Sequence, residues 1–240
     1  MIISKNKKQN YKEEYYSNLA CVFNIDLLTL QKIIMLLSIH PKNPDKRKLQ
    51  MIKECLHDGG VIIYPTDTIY GIGCDIYQPR AVERICRIKE IKVEKANFSL
   101  IFFDLSQLAD FTKPFDNSVY RILRKALPGP FTFILQANNE IPKIFRSRKK
   151  TIGIRVPDNN ICREIVKTLG NPIMNSSIHD DDTILKYPTE PAVIYEKYKK
   201  LVDIVIDGGT GNLDASTIVD FSSGELKIIR QGMGIIEGYS

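Results

Sequence analysis

The feature that most constrains the fold is the stretch Gly59–Asp75, which reads GGVIIYPTDTIYGIGCD. Val61, Ile62, Ile63 and Tyr64 form an unbroken apolar run behind a glycine pair. That pattern predicts a short, fully buried strand entered from a helix C-cap. Pro65 has no N–H to give and stops the sheet pairing. Beyond it Thr66, Asp67, Thr68 and Tyr70 place three hydroxyls and a carboxylate on one loop, and Gly71 and Gly73 let that loop bend tightly or approach a ligand closely. The segment reads equally as a binding loop at a strand's C-terminal edge or as a hydroxyl-rich turn that satisfies only its own backbone.

On either side of this stretch, helical and strand patterns alternate. Leu49, Ile52, Cys55 and Leu56 share one helical face, and Asp58-Gly59-Gly60 ends that helix. Pro79 opens a second helix, with Ala81, Val82, Ile85 and Ile88 inward and Arg80, Arg84, Arg87 and Lys89 outward. Further helices are expected over residues 105–111, 119–127, 161–169 and, ending at Leu201, from about Tyr195. Strands are expected over 97–103, 131–136, 151–156, 172–176, 202–206, 217–221 and 226–229. In the strand Thr151–Val156, alternation sets Ile152, Ile154 and Val156 on one face and Arg155 on the other. The alternation, without repeats or low complexity, predicts an α/β fold: a twisted mixed sheet with flanking helices.

Residues 1–34 stand apart. Met1–Tyr16 is rich in Lys, Asn, Glu and Tyr with no period that buries a face, whereas Asp26 caps a possible short helix through Ile34. The segment is expected to be either an appended helix or a stretch ahead of a true start at Met35, which opens a natural strand. Residues 35–240 form the expected main domain, and 240 residues suit one large domain with an appendage.

Composition narrows the function classes. The chain is 43% hydrophobic and 26% charged with a formal charge of +6, ordinary for a soluble globule and compatible with handling phosphates or carboxylates. The 5 cysteines are scattered, with no C-x-x-C, so neither a zinc ribbon nor a disulfide framework is indicated and reduced core thiols are expected. No apolar run near the N-terminus is long enough to span a bilayer and no signal cleavage site is seen. A cytoplasmic protein with no membrane partner is therefore expected.

Familiar phosphate signatures are missing: there is neither GxxxxGK[ST] nor GxGxxG after a strand. Gly208-Gly209-Thr210-Gly211 reads as a weak phosphate loop or, more simply, a turn. His179-Asp180-Asp181-Asp182 reads as an oxygen-ligand site or, more simply, a solvated acidic loop; no metal ligand is assigned. The distinctive feature is a set of cationic and hydroxyl side chains at strand ends: Thr66, Thr68, Lys89, Thr132, Arg155, Ser176, Ser177, Ser216, Thr217 and Arg230. An anionic ligand needs such donors to replace its water. Arg155, between apolar neighbours, requires either an anionic ligand or a carboxylate within the fold.

PTDTIYGIGCD, the helix ending at Lys89, LPGPFTFIL (Leu127–Leu135), TIGIRVP (Thr151–Pro157), GNPIMNSS (Gly170–Ser177), VDIVIDGG (Val202–Gly209), STIVD (Ser216–Asp220) and IIRQG (Ile228–Gly232) together resemble the YrdC/YciO family, the threonylcarbamoyl-AMP synthases. The resemblance covers about residues 36–235 in unbroken order. HPKNP (His40–Pro44), AVERICRIKE (Ala81–Glu90) and NFSLIFFDLSQL look particularly like the YciO branch.

The resemblance implies a twisted α/β sheet with a concave, positively charged cavity. The implied activity joins L-threonine, bicarbonate and ATP, with Mg²⁺, into threonylcarbamoyl-AMP and pyrophosphate, the donor for the t6A modification of tRNA, and so implies a downstream t6A transferase machinery as partner. By similarity Thr68, Arg155 and Ser216 would hold threonine; Lys89, Thr132, Ser177 and Arg230 would line the ATP side; and Lys89 and Ser177 would be catalytic. Two positions depart from members with established synthase activity. Lys-x-Arg reads Lys89-Glu90-Ile91, and Ser-x-Asn reads Ser177-Ile178-His179. Ile91 offers no phosphate contact, a loss on the order of 1.5–3 kcal/mol of binding; Lys92, Lys95 and Arg87 are the nearby cations, and His179 keeps hydrogen-bonding capacity. The alternative reading is a YciO-type protein that holds a nucleotide or double-stranded RNA in the same concavity without turnover, using Arg146, Arg148, Lys149 and Lys150 with Lys197, Lys199 and Lys200.

Overall fold

The structure is a computed structural model and describes residues 35–142, 144, 150–178 and 188–236. Ten strands pair into one mixed sheet in the order β1-β8-β2-β3-β7-β4-β6-β5-β9-β10. In chain order these are β1 (Met35–Ser38), β2 (Ile62–Tyr64), β3 (Gly71–Asp75), β4 (Ser99–Ile101), β5 (Phe131–Gln136), β6 (Thr151–Arg155), β7 (Ile173–Ser177), β8 (Ile204–Asp207), β9 (Thr217–Asp220) and β10 (Lys227–Arg230). β2–β8, β4–β6 and β5–β9 are parallel. β2–β3, β3–β7, β4–β7, β5–β6 and β9–β10 are antiparallel. The α/β class and the mixed sheet expected from the pattern are what is found.

Among the described residues, five α-helices accompany the sheet: α1 (Lys46–His57), α2 (Pro79–Ile88), α3 (Asn117–Ala126), α4 (Asn160–Leu169) and α5 (Pro191–Tyr198). α1 starts where Asp45 accepts from the N–H groups of Arg47 and Lys48. α4 starts at Asn159, whose side chain accepts from the Cys162 N–H, and ends at Gly170 with φ 92°, the left-handed conformation that glycine adopts without a Cβ penalty. α1 packs on α4, α2 on β3 and α5 on β8. Leu49, Ile52 and Leu56 of α1 and Ala81, Val82 and Ile85 of α2 are buried, as their helical spacing predicts. Val61 to Tyr64 are completely inaccessible, matching the doubly covered strand expected there.

Three details differ from the sequence expectation. The segment from Gly71 to Asp75 is not loop but strand β3, extended and buried along its whole length. Its glycines serve close packing: a Cβ on Gly71 would lie 2.5 Å from Asn175 Oδ1, and one on Gly73 would lie 2.3 Å from the Met174 carbonyl and 2.9 Å from the Tyr64 hydroxyl. Residues Leu105–Asp110 form a 3-10 helix rather than an α-helix, with Asp104 accepting from the Ser106 N–H. α5 begins at Pro191, earlier than the aromatic-apolar pattern suggested, because proline is favoured in the first helical turn. Gly208–Gly211, by contrast, is the turn that its sequence most simply suggests, with its donors used internally. The Gly209 N–H donates to Asp207 Oδ1, the Gly208 N–H to the Tyr70 hydroxyl, and that hydroxyl to the Gly209 carbonyl.

Of the cysteines, Cys74, Cys86 and Cys162 are buried free thiols and Cys55 is half-buried. The expected appended helix in residues 1–34, Cys21, the acidic run from His179 and most of the basic loop from Lys143 lie outside the described residues.

Candidate functional site

One face of the central strands floors a cavity of about 1240 Å³. The register explains how it forms. Asn175 of β7 stands opposite Ser99 of β4 and Gly73 of β3, and Ser99 stands opposite Gly153 of β6. Side chains alternate across a strand, so Gly71, Ser99, Gly153, Arg155, Asn175 and Ser177 share this face with Thr132 and Ile134 of β5. A row that carries glycine where other sheets carry a side chain is lower than its surroundings. At Gly153 a Cβ would come within 3.2 Å of both Ser99 Cβ and Thr132 Cγ2.

The polar wall at one corner is built by the loop after β2. Thr66 Oγ1 donates to the Ile69 carbonyl at 2.7 Å and accepts from the Thr68 N–H at 3.0 Å. Since the Thr66 proton is spent, the Thr68 hydroxyl is the donor in the 3.1 Å contact between the two side chains. Thr68 Oγ1 in turn accepts from Arg155 Nη2 at 3.0 Å, and Arg155 Nη2 also donates to Asp67 Oδ1 at 3.1 Å. Asp67 Oδ2 accepts from the Asp158 N–H, and the Asp67 carbonyl accepts from the Asn212 side chain. The pair is well buried, with side-chain exposures of 6% for Arg155 and 9% for Asp67. Arg155 Nη2 has spent both its protons, while its Nε–H has no acceptor among the described residues. The carboxylate within the fold and the capacity for a further anion therefore coexist at Arg155.

The opposite wall comes from β5, β9 and β10. Thr132 Oγ1 and Ser216 Oγ are 2.8 Å apart and hydrogen-bonded. Arg230 on β10 donates from Nη2 to the Ser216 carbonyl at 3.0 Å. Lys89, at the C-cap of α2, donates from Nζ to the Ser177 carbonyl at 2.5 Å and is 9% exposed. Thr132, Arg155, Ser177, Ser216 and Arg230 all line the cavity. Lys89 and Thr68 stand behind lining residues, Lys89 bonded to Ser177 and Thr68 to Arg155. Ile91 follows Glu90, whose φ of 55° turns the chain out of α2; beyond it Val93, Glu94, Ala96 and Asn97 border the cavity. Arg87 and Lys92, the nearby cations that could replace a missing arginine, are exposed and do not border it.

Burial shapes the titration of groups near the corner. Tyr70, which borders the cavity, has its hydroxyl pushed up to about 12 by burial. The buried Cys162 thiol is likewise pushed up to about 12 by burial, which outweighs the opposing pull of Arg155. Neither ionises near neutral pH, so neither is a nucleophile or base there. The cations seen on α5 are engaged locally: Lys199 pairs with Glu196, and Lys197 lies 5.3 Å from the Tyr198 ring centroid.

A family model described as "Telomere recombination" (Sua5_yciO_yrdC) matches residues 54–232. The chain belongs to the Sua5/YciO/YrdC family. Among relatives in this family, the uncharacterized protein YciO of Escherichia coli (strain K12) is 35% identical over 202 residues, covering 84% of this chain and 97% of YciO. Its crystal structure superposes with a TM-score of 0.79 over 85% of this chain and 98% of that one. A protein named threonylcarbamoyl-AMP synthase from Coxiella burnetii (strain RSA 493) is 31% identical over 179 residues, covering 72% of this chain and 92% of the relative. The crystal structure of P. abyssi Sua5 complexed with L-threonine shares the fold, with a TM-score of 0.74 at 21% identity over 82% of this chain and 57% of Sua5.

Three side chains at the cavity floor are not singled out by the sequence pattern. In the sequence Tyr64 reads as core, and Asn175 and Ser99 read as ordinary residues of their strands. The available signal was a polar residue inside each predicted strand of an otherwise apolar sheet. Register, which brings the three together, is not written in any one strand. Among the described residues no cluster of three or more His, Cys, Asp or Glu side chains gathers at one point, and no helix is long and apolar enough to cross a membrane.

Proposed function

We propose that this chain is an L-threonylcarbamoyladenylate synthase acting in the cytoplasm, with residues 35–240 as its YrdC-like domain. It would take L-threonine, bicarbonate and ATP, the last as its Mg²⁺ complex, and supply t6A modification of tRNA through a downstream transferase. The observation that carries this reading is the cavity itself. At about 1240 Å³ it exceeds the roughly 300–1,000 Å³ that one small ligand fills, and cations stand on separate walls. The family names support it: a synthase relative at 31% identity and a Sua5 homologue crystallised with L-threonine.

The chemistry fits the residues. Threonine's amine and bicarbonate condense to a carbamate with loss of water; a carbamate oxygen then attacks the α-phosphorus of ATP and pyrophosphate leaves. Both reactants are anionic, so the barrier contains their repulsion. Arg155, locked by Asp67 and Thr68, holds the threonine carboxylate with donors that Asp67 does not use. Arg230 would face the phosphates, Lys89 would add its charge from behind Ser177, and the Thr132–Ser216 pair and Ser177 would supply neutral donors. Fixed donors of this kind cost no reorganisation as charge develops, and co-binding removes much of the entropic barrier.

The test is threonine- and bicarbonate-dependent release of pyrophosphate from ATP by the purified chain. Release that requires all three substrates, and that drops at least tenfold in Lys89→Ala, supports the proposal. ATP binding without release, or salt-sensitive retention of double-stranded RNA without release, replaces it with a binding protein.

A further inference from the structure

Tyr64, Asn175 and Ser99 form a chain of hydrogen bonds across the cavity floor. Tyr64 Oη donates to Asn175 Oδ1 at 2.8 Å, and Asn175 Nδ2 donates to Ser99 Oγ at 3.0 Å. Tyr64 has no accessible surface, and its hydroxyl is held protonated by burial, far above its ordinary value. Asn175 is the hydrogen-bond partner of that hydroxyl among the described residues. Were the amide reversed, the phenolic proton would lose its acceptor at a position bulk solvent does not reach, which costs about 1–3 kcal/mol. The tyrosine therefore dictates which end of the amide faces Ser99.

This direction has a consequence for the cavity. Each amide nitrogen carries two protons and each hydroxyl one. Asn175 uses one N–H on Ser99, and Ser99 Oγ is the acceptor in that bond. The remaining Asn175 N–H and the Ser99 O–H have no acceptor among the described residues, and both side chains border the cavity. Two adjacent donors are thus presented with no acceptor beside them. The register places them in a particular row. Arg155 pairs with Ile101, which pairs with Ile173, while Ser177 pairs with Gly71. The Asn175–Ser99 row lies between the row of Arg155 and the row of Ser177. The two β3 glycines keep this arrangement possible, because a Cβ at Gly71 would strike Asn175 Oδ1 and one at Gly73 would crowd the Tyr64 hydroxyl.

We infer that Ser99 and Asn175 form a donor pair, oriented by Tyr64, that binds the planar one-carbon oxyanion, bicarbonate or the carbamate made from it. The inference rests on the synthase reading for the identity of that anion. A carboxylate-like oxygen supplies the acceptor that the pair lacks, and the row's position between Arg155 and Ser177 sets it between the proposed threonine and phosphate sides. Ser99 and Asn175 touch the ligand; Tyr64 acts through Asn175 and is a positioning residue.

The experiment follows the side-chain amide ¹⁵N–¹H resonances of Asn175 during titration with bicarbonate in the presence of L-threonine and a non-hydrolysable ATP analogue. It is run for the wild type, Ser99→Ala and Tyr64→Phe, with KM for bicarbonate measured in the pyrophosphate assay. The expected result is a saturable shift of the Asn175 resonances in the wild type and a rise of roughly tenfold in the bicarbonate dissociation constant and KM in both variants. KM for ATP should stay within twofold. A purely structural Tyr64 would instead lower thermal stability and leave the bicarbonate KM alone. Ser99→Ala removes only a hydroxyl and keeps the test open if Tyr64→Phe folds poorly. Turnover with an unchanged bicarbonate KM in both variants overturns this inference and leaves the synthase reading standing. A saturable shift without turnover does the reverse.

Discussion

The two cavity arginines are built differently. Arg155 sits on β6, a central strand, 5% exposed, with one nitrogen committed to Asp67 and Thr68. Arg230 sits on β10, the last strand in the sheet order, in a half-buried position beside the exposed Ile229, and donates to the Ser216 carbonyl. A buried guanidinium without a carboxylate would be prohibitive, so Arg155 needs Asp67 merely to be accommodated. Arg230 is only half-buried, so solvent shares in screening its charge. The contrast teaches that charge can be placed in a binding floor only when the fold supplies its counter-ion, whereas at an edge strand solvent does much of that work.

This comparison can be broken most easily by stability measurements. Arg155→Ala leaves Asp67 as an uncompensated buried charge, and the unfolding free energy should fall by about 3–5 kcal/mol in denaturant titration. Arg230→Ala should cost less, about 1–2 kcal/mol, because the charge it removes is half-exposed. Equal losses would show that the two arginines are not distinguished by burial. Next in size, adding Asp67→Ala to Arg155→Ala should recover at least about 1 kcal/mol of the loss, because removing both partners is less costly than removing one. A double variant less stable than Arg155→Ala would place the loop's stability in Asp67's contacts with Asp158.

Smaller, and on the ligand side, Arg230→Ala should weaken ATP binding about tenfold, equal to about 1.4 kcal/mol, with L-threonine affinity unchanged in calorimetric titration. A parallel loss of threonine affinity would mean that the two walls serve one ligand. The smallest effect at neutral pH is alkaline. Cys162, whose charge environment includes Arg155 and Asp67, and Tyr70 are each raised to about 12 in the folded protein. Their unfolded values are near 9 and 10, so the folded state keeps protons that the unfolded state releases. Stability is therefore fully present below about pH 9 and falls as pH rises from there towards 12. Thermal melts across that range should show the fall, and Cys162→Ala should make it smaller, the buried thiols Cys74 and Cys86, also raised by burial, keeping part of it.

Much of the fold was legible in the chain because its signals are local. The helix over Lys46–His57, the β5 strand Phe131–Gln136 and the burial of Val61–Tyr64 follow from period, caps and β-branched runs. Gly71 and Gly73 were misread as loop glycines because a glycine within an extended segment looks like a turn until the neighbour that needs its space is known. Those neighbours, Asn175 for Gly71 and the Met174 carbonyl for Gly73, are about a hundred residues downstream. The set of Thr132, Arg155, Ser177, Ser216 and Arg230 was also legible, as polar residues at strand ends and as matches to family motifs. Which atoms they bond was not.

Sequence alone thus determined the element types, the buried strand and the presence of an anion-suited residue set, because each depends on neighbours within a few positions. Tertiary structure alone decided that Asp67 neutralises Arg155, that Tyr64 orients Asn175 and that glycines lower the floor. Those relations are set by sheet register and by where loops return, and pairing across distant strands leaves no mark in the local pattern of either one.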